Sequence, residues 1–161
     1  MKISVAIHDQ GARKMLDRLD AGVRQAVHDS LWRGALELSR TAQRNAPKAF
    51  STLRNSIHVA EINPLHFRVS TGVNYARAVE EGRPPGKQPG TANGLMEWVR
   101  QKTGLEGKDL DRKTYVIARA IGRKGTAPQP YMQPAFESEK DRIIANVQAS
   151  ARRAAQEAQR V

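Results

Sequence analysis

Two stretches decide the fold: GVRQAVHDSLWRGALELSRTAQRNAP, from Gly22 to Pro47, and IHVAEINPLHFRVST, from Ile57 to Thr71. In the first, Val23, Val27, Leu31, Ala35, Leu38 and Ala42 recur at steps of three and four. That spacing puts one apolar stripe along a helix. Arg24, Arg33, Arg40 and Arg44 lie off the stripe. Pro47 has no N–H to continue the helix and disfavours helical backbone at Ala46, so the helix ends there. In the second stretch Ile57 and Val59 alternate with His58 and Ala60, and Phe67, Val69 and Thr71 alternate with Arg68 and Ser70. A period of two spells two strands, and Asn63-Pro64 supplies the turn of a hairpin over 57–73.

Toward the N-terminus, Ile3, Val5 and Ile7 alternate with polar or small residues, which predicts a first strand. Asp9 is placed to cap a helix, and Met15, Leu16 and Leu19 carry the apolar stripe back from Val23, as one helix or as two broken near Gly22. Beyond the hairpin, Tyr75 to Glu81 reads as two helical turns ended by Gly82 in the left-handed conformation. Residues 83–94 hold Pro84, Pro85, Pro89, Gly86, Gly90 and Gly94, a composition that predicts a long mobile loop. Leu95, Trp98, Val99 and Lys102 predict a short amphipathic helix ending at Gly104. Residues 105–111 read as a polar loop, and Tyr115, Val116, Ala118, Ala120 and Ile121 as another helix, closed by Gly122. Gly125 to Gln129 reads as a turn. Pro130 and Pro134 predict an extended segment, with an edge strand near 130–133. Pro134 then opens a long last helix over 134–160 through Phe136, Ile143, Ile144, Val147 and Ala151. The expected fold is a single α+β domain over 1–161, in which a small, mostly antiparallel sheet packs against a long N-terminal and a long C-terminal helix.

Composition narrows the function classes. A chain of 161 residues suits one domain and can bury a real core. Aromatic residues are only 5% whereas alanines number 22, so the core rests on small aliphatic side chains along helices. The absence of cysteine excludes a disulfide scaffold, a thiolate metal centre and a cysteine nucleophile. The longest apolar runs are only a few residues, which predicts no membrane helix, and the opening Met1-Lys2-Ile3-Ser4-Val5 lacks the apolar core of a signal peptide. The expectation is a soluble intracellular product with no membrane partner.

The net charge is +11, unevenly spread. Residues 1–56 carry 10 basic and 5 acidic side chains, 57–111 carry 7 and 7, and 112–161 carry 10 and 4. This balance favours an acidic partner, nucleic acid above all, or else marks a well-solvated helical surface. Arg83, Lys87, Arg123 and Lys124 are candidate DNA or partner contacts, because they fall in Gly/Pro segments able to reach a phosphate backbone.

No catalytic constellation emerges. His8, His28, His58 and His66 show no metal-ligand spacing, although His58 and His66 could meet across the hairpin. The run from Gly82 to Gln88 is one residue short of a phosphate-binding loop and lacks its Ser or Thr. Neighbouring Glu80 and Glu81 point about 100° apart on a helix and are poorly placed to share a substrate. The expectation is a protein without enzyme activity, cofactor or metal. Neither a helix-turn-helix nor an aromatic stacking platform is discernible.

Three blocks carry a resemblance. Ala42-Gln43-Arg44-Asn45-Ala46-Pro47 followed by Leu53-Arg54-Asn55-Ser56-Ile57 resembles the pattern A-x-x-x-A-P … T-G-x-L-R-x-S-I of the HK97 gp10-like family of tailed-phage neck proteins, also called tail-completion or minor tail proteins. Tyr75-Ala76-Arg77-Ala78-Val79-Glu80-Glu81-Gly82 is similar to that family's Y-A-x-x-V-E-x-G, and Pro128-Gln129-Pro130-Tyr131-Met132-Gln133-Pro134-Ala135 to its P-x-P-F-L-x-P-A. The blocks stand in the same order and span residues 42–136. Ser51-Thr52 replaces the usual Thr-Gly, and the segment from Gly94 to Arg123 is longer than in many relatives. The resemblance implies a structural virion protein made in the host cytoplasm. It would form a homo-oligomeric ring at the head–tail junction, hexameric to match a tail tube, and contact adjacent neck and tail proteins and packaged DNA. A tail-terminator or head-closure ring is the neighbouring alternative; a free basic DNA-binding protein acting through nonspecific phosphate contacts is another. The motif positions are Pro47, Leu53, Ser56, Tyr75, Ala76, Glu80, Gly82, Pro130, Pro134 and Ala135. Physically, Glu80 can accept hydrogen bonds from backbone or from Arg54 or Arg77, and the ring of Tyr75 can lie on the sheet.

Overall fold

The computed structural model describes residues 2–6, 21–47, 51–86 and 94–159, with backbone alone at 3–6. The elements are β1 (Lys2–Ala6), α1 (Ala21–Asn45), α2 (Ser51–Ser56), β2 (Ile57–Asn63), β3 (His66–Thr71), α3 (Ala76–Glu80), α4 (Leu95–Thr103), α5 (Gly107–Lys124) and α6 (Met132–Ala158). The three strands form one antiparallel sheet in the order β1-β3-β2. The fold is therefore α+β, with the small sheet and the two long helices that the periodicities predict. The proposed cap Asp9, the stripe residues Met15, Leu16 and Leu19, and the loop residues Lys87, Pro89 and Gly90 lie outside the described residues.

One core holds sheet and helices together. The stripe Val27, Leu31, Ala35, Leu38 and Ala42 of α1 is buried with Leu53, Ile57, Phe67, Val69, Met132, Ala135 and Ile143. Phe67, on the central strand, meets the ring of Trp32 at 5.5 Å and that of His28 at 5.4 Å. Helices α1 and α6 run antiparallel, and a Cβ on Gly34 would stand 3.0 Å from Ile143, so the missing side chain sets how closely they approach. Near the same crossing Glu139 is buried and accepts a hydrogen bond from Thr41 Oγ1 at 2.8 Å. Arg142 donates to Glu139 through Nε at 3.0 Å and reaches Glu37 at 2.9 Å, while Arg44 donates to Thr41 at 2.8 Å. Burial raises the Glu139 carboxyl pKa, but Thr41 and Arg142 outweigh it and hold the group below the usual carboxylate range.

A second, smaller core lies between α4 and α5, built from Val99, Leu110, Thr114 and Ala118. Several expectations are corrected here. Residues 107–111 are helical rather than loop: Leu110 anchors the first turns in this small core, and Asp109 suits a helix N-terminus. The helix passes Gly122 and ends at Gly125, whose N–H donates to Ile121 at 2.7 Å. Residues 51–56 form a short helix whose Leu53 is fully buried. No strand forms near 130–133; α6 begins at Met132, with Pro134 in its first turn. His58 pairs with Ser70, and His66 with Asn63 and Ala6, so the two histidines are not cross-strand partners.

His28 ties α1 to the sheet. Its Nδ1 lies 3.0 Å from Asp29 and its Nε2 3.6 Å from Glu61 of β2. The hydrogen bond to Asp29 raises its pKa above the ordinary 6.5; burial opposes this and Glu61 adds to it. A raised folded-state value stabilises below the unfolded pKa of 6.5 and the benefit disappears as pH rises through the folded value. The stability difference between the wild type and His28→Gln is therefore expected to be larger at pH 5.5 than at pH 8.5, by well under about 1 kcal/mol for so solvated a group. Thermal unfolding of both proteins at the two pH values checks this; a difference that grows with pH contradicts it.

Candidate functional site

The second and third motif blocks, far apart in sequence, meet at one carboxylate, and the first adjoins them through Tyr75, which the Leu53 backbone hydrogen-bonds. Glu80 ends α3 and is only 5% exposed. Its Oε2 accepts from the backbone N–H of Tyr131 at 2.8 Å and of Met132 at 3.0 Å, and its Oε1 from that of Gln133 at 2.8 Å. A helix start leaves four N–H groups without intrahelical partners. At α6 three of them go to Glu80 and the fourth position is Pro134, which has none. Negative charge at a helix N-terminus is favourable as well. This is why the expected edge strand is absent: the N–H groups it would have offered to a sheet belong to the carboxylate. Arg54 and Arg77 are not its partners; Arg77 pairs with Glu81 at 2.8 Å.

The other motif residues build the surroundings. Ala76, Leu53 and Ala135 are buried in the core. Pro47 follows the end of α1, where Gln43 donates to the Ile57 carbonyl at 3.0 Å and fixes the entry to the hairpin. Ser56 Oγ donates to the Leu53 carbonyl at 2.8 Å and lies 2.5 Å from Thr71 Oγ1, joining α2 to the end of β3. Tyr75 packs its ring against the backbone of Gly94, where a Cβ would come within 2.4 Å. Burial raises the Tyr75 phenol pKa, opposed by hydrogen bonds from Thr52 and the Leu53 backbone, which tie the side chain to α2, and the residue packs against the core that holds Ile57, Phe67 and Val69. Tyr131 is fully buried beside this joint, its phenol pushed up to about 12 by burial and then by the charge of Glu80. Pro130 is exposed, and the adjacent Gln129 N–H donates to the Val79 carbonyl at 2.8 Å.

Of the basic candidates, Arg83, Arg123 and Lys124 come together at the C-terminal end of α5, and Lys87 lies outside the described residues. They do not sit in free loops. Arg83 and Thr126 exchange two backbone hydrogen bonds, at 3.0 and 2.9 Å, and the Gly86 N–H donates to the Gly122 carbonyl at 2.8 Å. Arg123 and Lys124 form the last turn of α5, where cations complement the helix dipole. Gly82 and Gly125 permit the crossing. A Cβ on Gly82 would stand 2.7 Å from the Thr126 carbonyl oxygen, and one on Gly125 2.2 Å from that of Arg83, and both residues have positive φ.

Chemically the joint is closed. Both oxygens of Glu80 accept from backbone N–H groups, and the side chain serves there as the acceptor that holds the start of α6. An open cleft of about 720 Å³ between the start of α1 and the hairpin turn is bordered by Arg24, Gln25, His28, Asn63, Pro64 and Leu65. No group of three or more metal-ligating side chains occurs among the described residues, and no described helix is long and apolar enough to cross a membrane. No protein-family model, curated protein or solved structure matches the chain.

Proposed function

We propose that this chain is a structural virion protein of a tailed bacteriophage, a neck or tail-completion component that forms a ring at the head–tail junction and acts by protein–protein contact without catalysis. The observation that carries the reading is the joint at Glu80, which ties the second motif block to the third by locking α3 to the start of α6, while Tyr75 of the second block is hydrogen-bonded by the Leu53 backbone of the first. The motif residues serve to hold an architecture and leave no reactive group exposed. The surface suits assembly: Trp32, Ile62 and Ile144 are large apolar side chains exposed on α1, β2 and α6. A closed ring needs two different surfaces on each copy, and these elements supply several. A hexamer matches a tail tube; a tail terminator or a head-closure ring would use the same kind of contacts. The reading of a basic DNA-binding protein is favoured by one observation, the +11 net charge.

Native mass spectrometry and negative-stain microscopy of the purified chain, alone and mixed with tail components of its own particle, test the ring. Closed oligomers of one size are expected. A monomer under all of these conditions contradicts the proposal.

A further inference from the structure

Helix α5 has two unlike faces. Leu110, Thr114 and Ala118 recur at intervals of four and are buried against α4. With about 3.6 residues per turn, Lys108, Arg112, Arg119 and Arg123 fall within about 60° of one another on the opposite side. All four are exposed, and none has an ion-pair partner among the described residues. Tyr115 and Val116 flank this line at 52% and 61% exposure. Asp109 and Asp111 are the acidic residues of the helix, against six basic ones.

We infer that this face of α5 binds the phosphate backbone of duplex DNA without reading its sequence. The spacing favours a duplex over an acidic protein. At about 1.5 Å rise per residue, Lys108 and Arg112 form one cationic pair and Arg119 and Arg123 another, with about 10 Å between them. That gap is comparable to the major groove, about 12 Å wide, so a helix laid across it presents one pair to each strand. Guanidinium groups grip phosphate oxygens in bidentate fashion, and the Tyr115 hydroxyl is a further donor to the backbone. The inference rests on and deepens the reading of a basic DNA-binding protein, and stands whether or not copies close into a ring.

The test is fluorescence anisotropy of the full chain with a labelled random-sequence duplex of about 20 base pairs, long enough to span the helix. Binding is expected to weaken from 50 to 200 mM salt with a logarithmic slope near −3.6, about −0.9 for each of four phosphate contacts. R112Q/R119Q/R123Q is expected to bind at least tenfold more weakly at low salt and to lose about 2.7 of that slope. K140Q/R152Q/R153Q removes the same charge from exposed positions of α6 and is expected to bind within threefold of wild type. R119Q alone, the mildest change, should lose about 0.9 of the slope, and circular dichroism confirms that each variant keeps its helices. No binding by the wild type at low salt, or equal losses in the two triple variants, overturns the inference. So does an α5 variant that keeps full DNA binding but no longer assembles, which would give the face to a protein neighbour. DNA binding through α5 by a chain that never forms a ring would overturn the ring alone.

Discussion

Glu80→Ala is expected to lower the melting temperature by about 8–16 °C. The substitution strips the start of α6 of its acceptor and leaves the N–H groups of Tyr131, Met132 and Gln133 without partners. Each buried donor left unmade costs about 1–3 kcal/mol, and solvent reaches the outermost of the three, so the sum is about 4 kcal/mol. A domain of this size loses about 2–4 °C per kcal/mol. Glu80→Gln keeps the shape but turns one acceptor into a donor facing other donors, and about half that loss is expected. Circular-dichroism melts measure both, and hydrogen exchange at Met132 and Gln133 should quicken before that at the core strands. An alanine variant within about 1 kcal/mol of wild type would mean that water replaces the carboxylate and that the joint is not what fixes α6.

The second large effect is expected at Gly125, where Ala should cost about 3 kcal/mol or more. Its φ of 72° and ψ of −167° lie in a region that essentially only glycine occupies. A Cβ would stand 2.2 Å from the Arg83 carbonyl oxygen, which is backbone and cannot swing aside. Relief of the contact separates Arg83 from Thr126 and breaks both of their hydrogen bonds. Strain of about 1–3 kcal/mol adds to those losses. Urea unfolding measures the cost. Gly104→Ala is the companion: its φ is also positive, at 67°, but nothing stands within 4 Å of the added Cβ, so it should cost clearly less. The ψ of Gly104, 9°, also puts it in the left-handed region that other residues can reach, so equal costs would show that neither the rarer backbone region of Gly125 nor its crossing with Arg83 adds to the ordinary cost of a left-handed alanine.

The parts of the fold set by periodicity were readable from sequence. The stripe from Val23 to Ala42 marks α1 because burying one face of a long helix requires that spacing, and the alternation around Phe67 and Val69 marks the central strand. The helix caps at Gly82 and Gly104 were readable for the same local reason. What could not be read depends on partners distant in sequence. The segment at Pro130 looks extended by itself, and only a carboxylate 50 residues earlier turns its N–H groups into a helix start. Residues 105–111 look like a loop because their one buried residue, Leu110, finds its place only once α4 packs on it. That misplaced helix boundary also hid the basic line of α5, since Lys108 and Arg112 align with Arg119 and Arg123 only if one helix carries all four. Glu139 and Thr41 were missed because they are polar residues that meet across the α1–α6 packing, with no pattern in either helix to announce the pair. For the candidate site, the importance of Glu80 and Gly82 was legible, but the partners of Glu80 were not.

The most direct measurement is electron microscopy of particles produced by a phage whose copy of this chain has been deleted. A ring component of the joint predicts DNA-filled heads and complete tails that remain separate, with joining restored when purified chain is added. Intact, infectious virions assembled without it would contradict the account.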